Sequence, residues 1–346
     1  MADERLEQAF VDWHGPLRAT SRATQVALLR GVHPLSGDVR LVPFVVERGG
    51  RVVGRCALCL PAVADEGTKR GPARLGFFEC VDEQPVADEL FDWARRTALA
   101  AGYAELVGPV DASFWLRYRM KLDHFDAPYT GEPYNPSYYP RLWERAGWQV
   151  GQRYSSTVYR VPPPGFVVGR YDERLAAALA GGRRVAALDL TLWDEDLPKV
   201  HALIMRRYAG MPLFHPLSLE TFAALFGGLR RIADPQLITL AWNGDELAGF
   251  SIVLPDYGDL LDRRLTPVTT ARILARKRRY QTVVAAYMAS DEPGLGSSMA
   301  ARLLTQARDR GLRVIGSLIA EGTPTEAFAP ELVESRRHYA LWRLAL

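Results

Sequence analysis

The sequence has few cysteines and no spacing that is typical of a metal site. Of its three cysteines, Cys56 and Cys59 form a C-x-x-C within a segment whose apolar residues predict a strand. Residues three apart on a strand face opposite sides, so the two thiols are badly placed to share a metal. No second cysteine pair or matching histidine pair follows. We therefore predict buried apolar cysteines and no metal site.

Long apolar runs and a strong net charge are also absent. No run approaches the roughly 20 residues that cross a bilayer, and the polar, charged start of the chain has no secretory apolar core. A net charge of +3 does not by itself favour nucleic acid or a membrane surface as partner. These absences predict a soluble, cytoplasmic protein without a membrane partner.

What the chain does have is enough apolar material for more than one core. Apolar residues make up 48% of the sequence, which excludes a disordered chain, and 346 residues favour two domains. Three consecutive prolines, Pro162 to Pro164, interrupt any regular element. We predict an N-terminal domain at 1–162, a proline-rich linker at 163–172 and a C-terminal domain at 173–346.

The two sides of this linker have the same predicted order of elements. The first side reads as strands 41–46, 52–60 and 74–78, a helix 86–101 that ends at Gly102, and a strand 103–107. The second reads as strands 236–242, 247–254 and 282–287, a helix 297–310 that ends at Gly311, and a strand 313–319. The order indicates an internal duplication of one α/β unit with a mixed sheet.

The second of these units contains a predicted phosphate-binding turn. Met288 and Ala289 directly follow its third strand, and a tight turn leads into the long helix. The residues of the turn and the helix start are Gly294, Leu295, Gly296, Ser297 and Ser298. Unpaired backbone N–H groups at a helix N-terminus favour an anion, most often a phosphate.

The chain resembles a bacterial family of tandem GNAT-fold proteins, which are N-acetyltransferase-like. The resemblance rests on the order of elements and on several short segments. These are Gly76-Phe-Phe-Glu79, Gly108-Pro-Val110, Pro133-Tyr-Asn-Pro-Ser-Tyr-Tyr-Pro140, Leu142-Trp-Glu-Arg-Ala-Gly-Trp148, Gly294-Leu-Gly296 and Glu321-Gly-Thr-Pro324. The resemblance implies two tandem GNAT-like acyltransferase domains.

In GNAT enzymes the turn before the long helix resembles R/Q-x-x-G-x-G/A and holds the pyrophosphate of an acyl-coenzyme A. Gly294 and Gly296 match the glycines, so the resemblance implies acetyl-CoA or another acyl-CoA as co-substrate in the C-terminal domain. Asp291 occupies the Arg/Gln position and Glu292 follows it. We expect these carboxylates to repel a pyrophosphate. The matching turn of the first domain, residues 79–85, lacks G-x-G and is also acidic, so we expect it to be degenerate.

Many GNAT enzymes use a tyrosine in the helix after the fifth strand to protonate the departing thiolate. Trp143 matches that position in the first half, and the predicted helix 325–333 of the second half has no tyrosine. The remaining catalytic candidates are Glu321 as a base, together with Tyr138 and Tyr139. The alternatives are a helix N-terminal charge for Glu321 and interface packing for the two tyrosines.

The acceptor site has a broader set of candidates. They are Asp111, His124, Tyr134, Asn135 and His215, of which most belong to a segment dense in polar aromatic residues. This segment could line an acceptor pocket between the domains, or it could pack the interface. Asp111 would hold a cationic amine or cap a turn. His215 lies near the helix pair where GNAT enzymes often bind the acceptor.

A basic run, Arg276-Lys-Arg-Arg279, with Arg272 nearby, precedes the strand of the phosphate turn. It could clamp the 3′-phosphate of coenzyme A or dock RNA. A solvated strand entrance is the interpretation that we favour, because charge runs are usually solvated.

Three functional hypotheses follow. The first is an acyl-CoA-dependent N-acyltransferase that acts on a small amine acceptor bound between the domains. The second is a transferase that takes its group from an aminoacyl-tRNA or a carrier protein, as in the Fem family, which the chain resembles in architecture only. The third is a non-catalytic GNAT-fold binding protein, because the usual tyrosine acid is missing from both halves.

Overall fold

The structure, a computed structural model, describes residues 4–12, 21–61 and 71–346. The helices in these ranges are α1 (Glu4–Asp12), α2 (Arg22–Leu29), α3 (Gln84–Ala100), α4 (Tyr139–Arg145), α5 (Gly169–Ala180), α6 (Trp193–Arg207), α7 (Leu219–Phe226), α8 (Leu229–Ile232), α9 (Pro267–Arg279) and α10 (Leu295–Arg310). The strands are β1 (Val39–Arg48), β2 (Arg51–Pro61), β3 (Ala73–Cys80), β4 (Glu105–Gly108), β5 (Val110–Asp111), β6 (Arg117–Tyr118), β7 (Met120–Lys121), β8 (Gln149–Tyr159), β9 (Arg183–Ala187), β10 (Thr239–Asn243), β11 (Glu246–Pro255), β12 (Thr282–Ser290), β13 (Arg313–Ala320) and β14 (Val333–Ala345).

One mixed sheet runs through both halves of the chain. Its strand order is β1-β2-β3-β4-β14-β8-β13-β12-β11-β10-β9, with β7 paired to β14 beside this path. The pairs β3–β4 and β12–β13 are parallel, and the other pairs are antiparallel. The predicted α/β class with a mixed sheet is confirmed.

The duplication predicted from the sequence is visible in the long helices and the glycines beneath them. Each half has a hairpin, a third strand, a long helix and a parallel strand in the same order. A Cβ on Gly54 would lie 2.9 Å from Val86 Cγ1 of α3, and one on Gly249 would lie 3.3 Å from Met299 Cε of α10. Both glycines therefore let the long helix approach the second strand of its hairpin closely.

The last strand of each half is inserted among strands of the other half. Strand β8, from the first half, lies between β14 and β13, whereas β14, from the second half, lies between β4 and β8. Residues 160–168 form no helix or strand, and α5 begins at Gly169, within the predicted linker. We propose that 1–162 and 173–346 are two repeats that exchange their last strands across this linker.

Two local predictions are wrong. Residues 325–333 do not form a helix, because Pro324–Ala327 and Pro330–Leu332 are single 3-10 turns and β14 starts at Val333. Pro330 falls inside the predicted helix, where it removes a backbone donor and clashes with the preceding turn. The basic run is not a strand entrance, because it forms the last turn of α9.

The C-x-x-C cysteines lie on opposite faces of β2, as predicted. Cys56 packs in the core under α3, and Cys59 packs in the core on the other face. Both thiols are buried and free, and burial raises the pKa of Cys59 to about 12. Within the described ranges, no group of three or more His, Cys, Asp or Glu side chains could hold a metal. None of the helices described here has the length and apolarity to cross a membrane.

Candidate functional site

Strands β12 and β13 separate partway along their length and leave a cleft. Their parallel pairing runs from Thr282 opposite Arg313 to Ala285 opposite Gly316 and then stops. Both strands bulge at that point, since their ladders to β11 and β8 shift register there. The strands continue to Ser290 and Ala320 without pairing to each other. The cleft therefore opens towards the turn that begins α10.

The turn at Gly294 presents unpaired backbone donors. Gly294 has a φ of +91° and caps α10, a conformation that glycine adopts without strain. In the described part of the chain, the amide groups of Gly296 and Ser297 donate to no protein acceptor. The amide and hydroxyl of Ser298 both donate to the Gly294 carbonyl, at 3.0 and 3.1 Å. Its hydroxyl is thus committed to the turn itself. Leu295 is buried against Met299.

The acidic residues beside the turn are held in ion pairs. Asp291 accepts a hydrogen bond from Arg206 and lies 3.8 Å from Arg207 Nε. Glu292 accepts a hydrogen bond from Arg183 Nε at 3.0 Å. These three arginines offset the negative charge of Asp291 and Glu292, the charge that we expected from the sequence to repel a pyrophosphate. The two carboxylates point to cations of other elements, so we expect them to repel a pyrophosphate less than the sequence alone indicates.

A further arginine lies directly at the turn. Nη1 of Arg174, in α5, lies 3.0 Å from the position of a Cβ on Gly294. Among the described residues, Arg174 makes no ion pair or hydrogen bond, and its side chain is exposed. Its guanidinium group is therefore available to an anion at the two unpaired amides.

Glu321 follows β13 on the opposite side of the cleft. Its amide donates to the Arg153 carbonyl of β8 at 3.2 Å, and Tyr154 pairs with Ala320 beside it. The carboxylate of Glu321 is half-buried and has no partner in the described residues. The exchanged strand β8 thus forms one wall of the cleft in the second half.

An apolar pocket of about 60 Å³ adjoins β12 on the face opposite α10. Side chains from α6, α7, the neighbouring strands and Trp115 of the first half line the pocket. The lining residues include Leu197, Val200, Ile204, Phe222 and Tyr287. Asp196 is the acidic residue of this lining, and burial raises its pKa while Lys199 opposes the shift. The pocket can therefore hold a small apolar group.

No family model matches the sequence, and no curated protein matches it. A tandem GNAT protein from the clavulanic acid biosynthesis pathway has a similar structure, with a TM-score of 0.53 and 17% identity over 99% of this chain and 96% of that one. The chain has a tandem GNAT fold. A conserved protein of unknown function from Enterococcus faecalis V583, described as a probable N-acyltransferase, matches with a TM-score of 0.52 and 8% identity, over 100% of this chain and 71% of its own. At these identities the likeness establishes the fold alone.

The first GNAT-like half has closed the equivalent cleft with its own backbone. A Cβ on Gly76 would collide with the Val110 carbonyl, and one on Gly108 would lie 2.7 Å from the Leu75 carbonyl. The cavity that is left has about 40 Å³. This space is far smaller than a pantetheine arm needs, which supports the expectation that the first half is degenerate.

The polar residues of that closed cleft have structural partners. The Phe77 amide donates to Asp111 Oδ1 at 2.6 Å, at the bulge where Phe77 has a φ of +51°. Asp111 thus caps a backbone turn, which was the second interpretation of this residue. Glu79 lies in β3 and not in the turn after it, where it pairs with buried Arg55. Burial raises the pKa of Glu79 to about 7.

The predicted acceptor residues do not form one pocket. Tyr134, Asn135 and Asp111 line the small first-half cavity together with Tyr139. Asn135 Oδ1 accepts from the Lys121 amide at 2.7 Å, and its Nδ2 donates to the Lys121 carbonyl at 3.1 Å.

The two histidines among the candidates lie outside that cavity. His124 is exposed, with a φ of +49°. His215 Nε2 lies 3.4 Å from Asp38 Oδ1, and its carbonyl accepts from Trp115 Nε1 at 2.7 Å. This backbone bond helps to hold Trp115 at the apolar pocket, so His215 lies near the pocket without lining it.

The tyrosines proposed as catalytic groups tie α4 to β3 in the first half. The Tyr138 hydroxyl donates to the Cys80 carbonyl at 2.8 Å, and the Tyr139 hydroxyl accepts from the Cys80 amide at 3.0 Å. Tyr139 is 3% exposed, and its ring packs edge-on against Phe78. Neither hydroxyl belongs to the cleft of the second half, and both bond to β3 of the same half, so a packing role inside the first half, and not at an interface between the domains, accounts for these bonds.

Replacing Tyr139 by Phe therefore tests a structural role against a catalytic one. We expect the free energy of unfolding to fall by about 1–2 kcal/mol, because the buried Cys80 amide loses its acceptor. Affinity for acyl-CoA should not change. Urea unfolding and ligand titration measure the two effects, with Tyr134→Phe as control because no described hydrogen bond involves the Tyr134 hydroxyl. Unchanged stability with lost turnover would restore the catalytic assignment.

Tyrosines that sequence reasoning missed surround Arg119 where the two halves meet. The Arg119 guanidinium lies 3.7 Å from the ring centroid of Tyr118 and 4.1 Å from that of Tyr154. The Tyr208 hydroxyl donates to the Met288 carbonyl of β12 at 3.3 Å. Burial raises the pKa of Tyr208 and Tyr154, which keeps both phenols protonated. No motif marks these tyrosines, because they come from three separate parts of the chain: β6, β8 and the end of α6.

The strand residues Met288 and Ala289 do lie at the cleft. Both follow the bulge of β12 and are half-buried, and they pair with Ser251 and Phe250 of β11. Met288 Sδ lies 4.0 Å from the position of a Cβ on Gly296, so this residue links the strand to the turn. The structure therefore brings the strand end and the turn together as the sequence predicts.

Proposed function

We propose that this protein is an acyl-CoA-dependent N-acyltransferase with its co-substrate in the second half. One observation carries the proposal: among the described residues, the amides of Gly296 and Ser297 and the guanidinium of Arg174 have no partner, and Arg174 Nη1 lies 3.0 Å from the Cβ position of Gly294. Together they offer fixed dipoles and one planar cation, which is the chemistry that binds a diphosphate. The neighbouring acids are already neutralised by ion pairs.

The acceptor would lie between the halves, in the apolar pocket that Trp115 closes. This pocket shares Tyr287 with β12, so a group bound there is adjacent to the cleft. A volume of about 60 Å³ and an apolar lining favour a small apolar moiety. A small amine would place its apolar part in this pocket.

Acyl transfer needs a base for the amine and an acid for the departing thiolate. Bound acyl-CoA would supply the activated thioester. Glu321, at the end of β13, would accept the proton of the attacking amine directly or through water. Tyr208 would donate a proton to the thiolate, since its hydroxyl lies at the β12 backbone beside Met288 of the cleft. Tyr208 would thus replace the tyrosine that both halves lack at the usual position.

Titration of acetyl-CoA by calorimetry tests the proposal. We expect Arg174→Ala to weaken binding about tenfold, because one charge-assisted contact to phosphate is lost. Arg278→Ala changes the net charge equally on an exposed part of α9 and should bind as the wild type does. No binding of acetyl-CoA, propionyl-CoA or octanoyl-CoA by the wild type would refute the proposal, as would full affinity in Arg174→Ala.

The two other hypotheses have lost part of their support. The acidic turn argued for a donor other than acyl-CoA, and its charges are now known to be paired. Aminoacyl-tRNA as donor predicts that bulk tRNA binds with a steep salt dependence. If the protein is a non-catalytic GNAT-fold binding protein, acetyl-CoA should bind, but no free thiol should be released in the presence of any small amine.

A further inference from the structure

An open concavity of about 880 Å³ lies on the sheet face opposite α10. Val283 and Val314 pack beneath α10, whereas Ile315 turns to the other face and contacts Tyr129. The floor of the concavity includes Ile315 and Thr282. Helix α9 forms one wall, and residues 256–263 and 127–129 form others. A volume of this size is in the range of small-molecule sites, roughly 300–1,000 Å³.

The charge of the lining is strongly positive. Six arginines contribute to it: Arg263, Arg272, Arg276, Arg279, Arg313 and Arg337. The acidic residues of the lining are Asp256 and Asp259. The Asp256 carboxylate is occupied by backbone groups, since its Oδ1 accepts hydrogen bonds from the amides of Thr130 and Gly258, both at 2.9 Å. The concavity therefore has a large excess of cations.

Three of the arginines already have acidic partners. Arg263 pairs with Asp259 at 2.7 Å, Arg313 pairs with Glu334, and Arg337 pairs with Glu132 at 2.9 Å and with Asp126. By contrast, Arg272, Arg276 and Arg279 form no ion pair and no hydrogen bond within residues 4–12, 21–61 and 71–346, and all three are exposed. Their spacing of four and three residues places them in one row on α9.

The row places like charges side by side on one face of the helix. Like charges at i and i+4 destabilise a helix, and α9 buries only Ile273 among its described residues. The helix therefore contributes little to the core while it holds three cations over the concavity. An anion bound between them would remove the repulsion.

The concavity is separate from the coenzyme A site proposed above. It includes Thr282, the first residue of β12, whereas the glycine turn from Gly294 to Ser298, which we call the cradle, follows Ser290, the last residue. At about 3.3 Å per residue these two ends are about 26 Å apart. The arginines of α9 are therefore too far from Gly294 to clamp the 3′-phosphate of a coenzyme A held there.

We propose that this concavity binds a small molecule of nucleotide size that carries two or more phosphate groups. Planar guanidinium groups bind phosphate oxygens in pairs, and three in a row without a partner among the described residues match neighbouring phosphates. The apolar floor at Ile315 receives the remainder of the ligand. The concave shape, with walls from α9 and from residues 256–263 and 127–129, favours a small molecule over a flat membrane surface. The proposal does not depend on the acyltransferase function.

Calorimetric titration of ADP tests this site. Wild-type protein is expected to bind ADP and not adenosine. The double variant Arg272→Ala with Arg276→Ala should weaken ADP binding about tenfold or more. The matched control, Arg264→Ala with Arg278→Ala, removes the same charge from exposed residues that do not line the concavity and should stay within about twofold of the wild type. Alanine is a strong helix former, so α9 should persist in both variants.

A third variant separates this site from the cradle. Gly296→Asp places a carboxylate at the start of α10, so ADP binding that survives in it supports the α9 site. Loss of ADP binding in Gly296→Asp would overturn the proposal, because ADP would then occupy the cradle. Equal weakening in the two double variants would also overturn it, as would no ADP binding by the wild type. Binding of single-stranded RNA without ADP binding would replace it with a nucleic-acid surface.

Discussion

A carboxylate placed at the start of α10, by Gly296→Asp, is expected to weaken acetyl-CoA binding at least about a hundredfold without harming the fold. Two like charges about 4 Å apart repel each other by about 4 kcal/mol near a protein surface, and a diphosphate brings two charges. The side chain has room, because the nearest atoms to a Cβ at this position are Ser290 Oγ at 3.9 Å and Met288 Sδ at 4.0 Å. An acidic residue in the first turn stabilises a helix, so the midpoint of thermal unfolding should stay or rise.

Calorimetry with acetyl-CoA and a thermal unfolding scan measure the two effects on the same sample. Gly296→Ala is the matched control, since it adds a Cβ without a charge and should retain most of the affinity. If Gly296→Asp still bound acetyl-CoA as the wild type does, the diphosphate would not lie at this turn. If both variants lost binding equally, steric exclusion would be the cause and the electrostatic argument would fail.

The second large effect is expected in the buried ion network around Glu132. Its carboxylate lies 3.1 Å from Lys121 Nζ and 2.9 Å from Arg337 Nη1, and it also accepts from the Tyr339 hydroxyl. The side chains of Lys121 and Glu132 are fully buried. Glu132→Ala would leave buried cations without a counter-charge, which costs about 3–5 kcal/mol of the free energy of unfolding.

Chemical unfolding of Glu132→Ala measures this loss, and Glu132→Gln should lose less because it keeps an acceptor. Glu334→Ala is the control, since its pair with Arg313 is exposed and contributes at most about 1 kcal/mol. A loss of less than about 1 kcal/mol in Glu132→Ala would contradict the prediction. The network also joins β14, at Arg337 and Tyr339, to the first half, so the variant should loosen the exchanged strand as well.

The cradle illustrates how far local sequence reasoning reaches. The glycines at 294 and 296, the helix after them and the strand before them are visible in the sequence, because each depends on residues within one turn of the chain. The charge of the same site could not be predicted locally. Asp291 and Glu292 sit in the turn, but their partners Arg206 and Arg183 are 85 and 109 residues earlier.

The acceptor site could not be predicted from local sequence patterns. Sequence reasoning chose residues by chemical type, such as His124 and Asn135, and the structure disperses them or gives them backbone partners. The apolar pocket that adjoins β12 is built by side chains that look like ordinary core in the sequence, Ile204 and Phe222 among them. Apolar periodicity shows that a side chain is buried, and it does not show where packing leaves a space.

The sequence by itself determined the two hairpins, the long helices with their glycine ends, the duplication and the glycine turn. All of these follow from periodicity, capping and backbone freedom, which act over a few residues. Only the tertiary structure decided the exchange of β8 and β14, the closed cleft of the first half, the neutralised turn and the arginine row over a concavity. These features depend on which distant residues share a few ångströms of space, and a linear pattern does not specify those distances.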